Sequence, residues 1–168
     1  MIVALGVLLL PILMISWWFT RVPEPAPTRV DWAPIATAAS ASPYRIAVPQ
    51  ALPDTWTCVR ARWTAKGDPG IDGKPVPGNT WQLGLLTPDR RYLGLDQRDE
   101  RPEELLAEVT RDGRADGDSV VAGARWQRWI SPDARTRTLA ITGDGSTLVL
   151  SGDVPYAELE AFAATLRR

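Results

Sequence analysis

At 168 residues, the chain is long enough for one domain with its own core. A net charge of −1 leaves no electrostatic footprint for nucleic acid or an anionic lipid surface. With no histidine and one cysteine, Ser-His-Asp and Cys-His catalysis, the common zinc ligand sets and any intrachain disulfide are excluded.

The chain opens on an apolar run. Residues 2–19 carry no charged side chain, close to the ~20 residues needed to cross a ~30 Å hydrocarbon core. Pro11 is tolerable there as a kink. Trp17 and Trp18 suit the membrane interface, and Arg21 closes the run. The competing reading is a cleaved signal peptide. It fits less well, because the run is long and ends in bulky Trp17, Trp18 and Phe19 in place of a small-x-small site.

No basic residue precedes the run, so charge bias alone favours a cytoplasmic domain. The stiff spacer that follows, VPEPAPTR at residues 22–29, favours an outside one. So does the lack of cysteine- or nucleotide-dependent chemistry. The expected organisation is a transmembrane anchor over residues 1–20, a proline-rich spacer over 21–29 and an extracytoplasmic domain over 30–168.

Asp31 can cap a short alanine-rich helix over residues 32–40, which Pro43 stops. Residues 44–48 read as a short extended piece. Residues 57–64 alternate, with Val59, Ala61 and Trp63 facing one way and Cys58, Arg60 and Arg62 the other. That pattern predicts a strand with one buried face. Residues 66–79, KGDPGIDGKPVPGN, form a long Gly/Pro loop.

Strands are predicted over 81–86 and 92–96. A helix follows from Pro102, with Glu103 and Glu104 in its first turn and Leu105, Leu106 and Val109 as its apolar stripe. Residues 112–118 read as a polar loop, and 120–130 as one strand carrying Trp126 and Trp129. Two strands flank Gly143-Asp144-Gly145, a hairpin signature. A last helix begins near Pro155, with Tyr156, Leu159, Phe162, Ala163 and Leu166 on one face. The fold expected is α+β: a single antiparallel sheet packed against the C-terminal and central helices, preceded by an N-terminal transmembrane helix.

Few residues carry chemistry. A calcium-loop reading of residues 112–118 fails, because Arg114 and Gly123 stand where ligands are needed. A phosphate-loop reading of 67–74 fails at Asp68 and Pro75. Cys58 is expected to be inert, although Arg60 and Arg62 on the same strand face could activate a thiol. Asp89, Asp96, Asp99 and Glu100 cluster around turns, where acids are usually solvated.

Six tryptophans lie outside the apolar run, and most fit core positions. Trp126 and Trp129, three apart, point to opposite faces of a regular strand, so one of them is exposed or covered by a helix. Trp126, Trp129, Arg60 and Arg62 are the candidate binding residues. No catalytic, metal-binding or cofactor-binding residue is assigned, and no cofactor is implied.

The order of motifs resembles a known family. The features that carry the resemblance are Val30-Asp31-Trp32, Leu52-Pro53-Asp54-Thr55-Trp56, and Trp81-Gln82-Leu83-Gly84 with Thr87-Pro88. They continue with Gly123-Ala124-Arg125-Trp126, the strand Leu148 to Gly152, and the helix Glu158 to Leu166. Together they resemble the actinobacterial family known as domain of unknown function 4245, over nearly the whole chain. The resemblance implies a single-pass or secreted envelope protein and brings no catalytic residues. Family members usually begin with a basic cytoplasmic tail, which this chain lacks.

The function expected is a non-enzymatic, membrane-anchored envelope accessory protein that binds a protein partner or a small ligand, with no nucleic acid involved. The alternatives are an envelope hydrolase using carboxylates or an arginine pocket, and a structural subunit of a membrane complex.

Overall fold

The structure, a computed structural model, describes residues 14–16, 27–41 and 43–167. Among these residues, seven strands form one antiparallel sheet. They are β2 (Thr57–Thr64), β3 (Thr80–Leu86), β4 (Tyr92–Arg98), β5 (Arg114–Val121), β6 (Ala124–Ile130), β7 (Arg137–Gly143) and β8 (Ser146–Gly152). The spatial order is β2-β3-β4-β8-β7-β6-β5. β1 (Val48–Pro49) and β9 (Leu166–Arg167) pair as a separate antiparallel ribbon. The helices are α1 (Ala33–Ala38), α2 (Pro102–Thr110) and α3 (Tyr156–Ala164). The α+β class and the large antiparallel sheet agree with the sequence pattern.

One face of the sheet holds the main core. Trp81, Leu83 and Leu85 of β3, Leu93 and Leu95 of β4, Leu139 of β7, and Leu148 and Leu150 of β8 are fully buried there. Leu159, Phe162 and Ala163 of α3 pack against them, as do Ile35 and Ala36 of α1. The segment before β1 is tied down by the Trp81 indole N–H, which donates to the Ala47 carbonyl at 2.9 Å. The Gln97 side chain accepts from the Ala47 N–H at 2.7 Å and donates to the Arg45 carbonyl at 3.0 Å. Gln97 is thus a buried polar residue with its bonds satisfied, as burial requires.

The opposite face is covered only in part. Helix α2 lies on it, and Leu105, Ala140 and Val149 form a small second cluster joined by Leu106, Val109 and Trp129.

Several sequence expectations change in detail. The first helix is α-helical only over Ala33–Ala38 and tightens to a 3₁₀ turn at Ala39–Ala41. The N-cap position is Trp32 and not Asp31; Asp31 stands one residue earlier and accepts from the Ala33 N–H at 3.1 Å in a local turn. The stretch 112–118, expected as a loop, supplies the edge strand β5. Its exposed polar residues and a bulge between Ala115 and Asp118 guard that edge against pairing with another chain.

The single strand expected over 120–130 is a hairpin. Ala122 and Gly123 turn it with φ of 50° and 79°, the left-handed pair of a tight β-turn. Alanine rarely takes that place, which hid the turn. The segment 2–19, including Trp17 and Trp18, and Arg21 lie outside the described residues except at 14–16. Among the described residues, no helix is long and apolar enough to cross a membrane.

Candidate functional site

The partly covered face is organised in rows running across the strands. In an antiparallel sheet, paired residues point to the same side. One row runs Arg62, Gln82, Asp96, Val149, Ala140, Gln127. The next runs Thr64, Thr80, Arg98, Thr147, Thr142. A third runs Arg60, Gly84, Gly94, Ser151, Thr138, Trp129.

The Tyr92 ring lies over Gly84 and Gly94. A methyl group at Gly84 would meet the Tyr92 hydroxyl at 2.6 Å, so glycine is what lets the ring lie at this crossing and a larger residue would push it aside. The Arg60 guanidinium stands 6.0 Å from the centre of the same ring.

A groove of about 900 Å³ opens on this face. Thr64, Thr80, Gln82, Asp96 and Arg98 floor it. The 66–79 loop supplies one wall through Ile71, Pro75 and Val76, and helix α2 supplies the other through Glu104, Leu105, Glu108 and Val109. The loop is braced from below. Arg62 donates to the Pro69 carbonyl at 2.6 Å, Lys66 pairs with Glu100 at 2.5 Å, and the Asn79 side chain donates to Asp99 at 2.6 Å. A pre-shaped wall spares a ligand the entropy of ordering it.

The charges lining the groove are mostly neutralised. Arg98, 4% exposed, sits 3.4 Å from Glu108 and also donates to the carbonyls of Glu100 and Arg101. Arg101 pairs with Glu104 at 3.1 Å. Asp96 differs. It is buried and accepts a hydrogen bond from the neutral Gln82 amide at 2.7 Å. Burial raises its pKa above the usual carboxylate range. The Gln82 bond and the positive charges of Arg60 and Arg98 work against that rise, and the negative charge of Glu108 adds to it. Among the described residues, no three acidic or sulfur side chains are arranged to hold a metal ion.

The sequence-level candidates separate. Trp126 is buried in the main core. Trp129 points to the other face and is covered by α2, so the opposed orientation expected from their spacing holds. Arg62 braces the groove loop, and Arg60 lies beside the groove floor over Tyr92.

Cys58 corrects the alternation read from β2. A bulge between Cys58 and Arg60 resets the strand, so Cys58 faces the core with Leu85 while Arg60 and Arg62 face the groove side. The pair therefore does not share a face with the thiol. Its S–H donates to the Arg60 carbonyl at 3.3 Å, and burial pushes its pKa up, the opposite of an activated cysteine.

The groove residues themselves escaped the sequence reading. The sequence places Asp96 among acids beside turns, but β4 continues to Arg98 and sets it mid-strand. The available signal was the alternation of Thr80 and Gln82, and of Asp96 and Arg98, with fully apolar neighbours.

The profile of the family described as "Protein of unknown function (DUF4245)" matches residues 1–166. The chain belongs to this family. No curated protein matches it. Among solved structures, the chain is similar to one in the complex structure of Pseudomonas aeruginosa MucA/MucB, at 17% identity and a TM-score of 0.40, over 72% of this chain and 34% of that one. A crystal structure of MucB in complex with MucA(peri) matches at the same identity, score and coverage of this chain, over 36% of its own length. This family member therefore spans about a third of the solved chains it matches.

Proposed function

We infer that this protein is a non-enzymatic binding protein of the cell envelope, and that the groove between the 66–79 loop and α2 seats its partner or small ligand. The carrying observation is the groove's make-up. Its volume of about 900 Å³ falls in the range of ligand sites, its loop wall is braced, and its wall charges are internally paired. Such a surface offers hydrogen bonds and apolar contact without a free nucleophile. The uncharged run at residues 2–19 supports anchoring in the membrane, and the proline-rich spacer supports a domain standing off its outer surface.

The test is complementation of a deletion strain by groove variants. Glu104→Trp fills the groove from its exposed wall, and Ile71→Asp removes the apolar rim. Both are expected to abolish complementation at normal abundance and with an unchanged denaturation midpoint. Full complementation by both would overturn the assignment. Reporter fusions after Arg168 test the placement, since activity only from a cytoplasm-dependent reporter would reverse the orientation.

A hydrolase is the second reading, and one observation favours it. Asp96 keeps its proton to higher pH than an ordinary acid and feels the charge of Glu108 across the same groove. Asp96→Asn preserves the acceptor for Gln82 and removes the proton donor. Loss of complementation by this variant, with the fold intact, would favour catalysis.

A further inference from the structure

Helix α2 is held in an unusual way. The residue before it, Arg101, and the two after it, Arg111 and Asp112, all take left-handed backbone angles, with φ of 51°, 56° and 56°. None is glycine, so each stores strain that a displaced helix would release. Among the described residues, three buried side-chain polar atoms have no hydrogen-bond partner: the Trp129 indole N–H and the Thr138 hydroxyl on the side of the sheet that carries the helix, and Arg60 Nε at the far end of the same row. Trp129 and Thr138 are register neighbours on β6 and β7, and Thr138 is 1% exposed. The sheet residues under the helix, Ala140 and Val149, are apolar. A second groove of about 680 Å³ runs along the other flank of α2, so the helix divides one trough into two.

We propose that α2 is a lid, and that the sheet face beneath it is a binding site for an uncharged ligand with an apolar body and a hydrogen-bond acceptor, such as a carbonyl. The apolar body takes the place of Leu105 and Val109 on Ala140 and Val149. The acceptor receives the Trp129 N–H, and the Thr138 hydroxyl is satisfied beside it. An anionic ligand is disfavoured, since the acid Asp96 is the register neighbour of Val149 and the desolvation of a carboxylate there would go uncompensated. Opening relaxes three strained residues, which offsets part of the lost helix packing. The inference extends the groove reading, with which it shares the helix as a wall.

The experiment uses the full chain in lipid nanodiscs with ¹⁵N-labelled tryptophan. Cyclohexanone serves as the neutral probe, and cyclohexanecarboxylate as its charged counterpart. The Trp129 indole signal, assigned through Trp129→Phe, is expected to shift downfield and saturate with cyclohexanone only. Backbone amides of 103–110 are expected to exchange with solvent faster than those of 157–164. Arg111→Gly favours the closed helix by removing strain, so it should weaken probe binding and slow that exchange, each by roughly fivefold.

A Trp129 signal unmoved by cyclohexanone overturns the site, and a larger response to the carboxylate overturns the neutral ligand class. Exchange unchanged by Arg111→Gly overturns the lid. These outcomes are independent of the groove test. Failure of Glu104→Trp to affect complementation removes the open groove and leaves the Trp129 response standing.

Discussion

The two faces of the sheet differ in what they spend their residues on. The face toward α1 and α3 is almost entirely leucine and tryptophan, with Gln97 as a fully bonded exception. The face toward α2 carries arginine, aspartate, glutamine, threonine and glycine, with a small apolar cluster under one short helix. A sheet needs only one well-packed face to fold. Two grooves and, among the described residues, three orphaned polar atoms on the other face are therefore poorly explained by stability alone. The difference is what supports the proposal that the first face carries the fold and the second the binding site.

The sharpest way to break that division is to truncate one tryptophan from each face. Trp126→Ala empties a buried site in the main core and is expected to cost ~3–5 kcal/mol in chemical denaturation. Trp129→Ala on the other face should cost about 1–2 kcal/mol. Equal losses would mean that the faces share the load.

Asp96→Asn probes the groove face with the opposite sign. The folded carboxyl has a raised pKa, so the folded state holds its proton where the unfolded chain has released it. Stability is thus greatest below the ordinary value of 3.8 and falls as pH rises through the raised one. The asparagine variant should be more stable than the parent at neutral pH and should show a flatter pH profile, as read by denaturation midpoints across acid to neutral buffers. A variant that is less stable at neutral pH would show that the charged acid is favoured in place.

On the far side of the sheet, Glu160 runs the other way. Hydrogen bonds from Ser119 and Arg128, at 2.6 Å each, lower its pKa. Its contribution is present above the ordinary 4.5 and is lost as pH falls through the lowered value. Ser119→Ala should therefore reduce the acid-induced loss of stability seen below that ordinary value.

The smallest effects are expected at positions tied to neither face's task. Ala122→Gly relieves a left-handed residue in the β5–β6 turn and should stabilise by up to ~1 kcal/mol. Cys58→Ser should leave complementation intact, since the thiol is buried, protonated and turned away from Arg60 and Arg62. Loss of complementation at normal protein levels would point to a thiol role.

Much of the first face was legible in the sequence. Alternation marked β2, runs either side of the Thr87-Pro88-Asp89 turn marked β3 and β4, Gly143-Asp144-Gly145 marked the β7–β8 hairpin, and helical spacing marked α3, because burial and turns write their pattern directly into single segments. The second face was much less legible. The β2 bulge at Val59 inverts which residues accompany Cys58, and a bulge leaves no compositional mark. The turn at Ala122 lacks the usual Asn or Asp, and β5 is polar because it is an edge. The groove joins the 66–79 loop, three strands and α2, which lie far apart in sequence. Single-segment patterns report a residue's own burial and are silent about which distant polar residues share a row.

Site-specific photo-cross-linking in native membranes tests the division of the two faces most directly. A benzophenone side chain is placed at Ile71, an exposed residue on the groove rim (63%), and separately at Val120 on the distant edge strand (76%). The account predicts a discrete adduct from position 71, lost when Glu104→Trp fills the groove, and none from position 120. An adduct from position 120 alone, or one from position 71 that survives the filled groove, would contradict it.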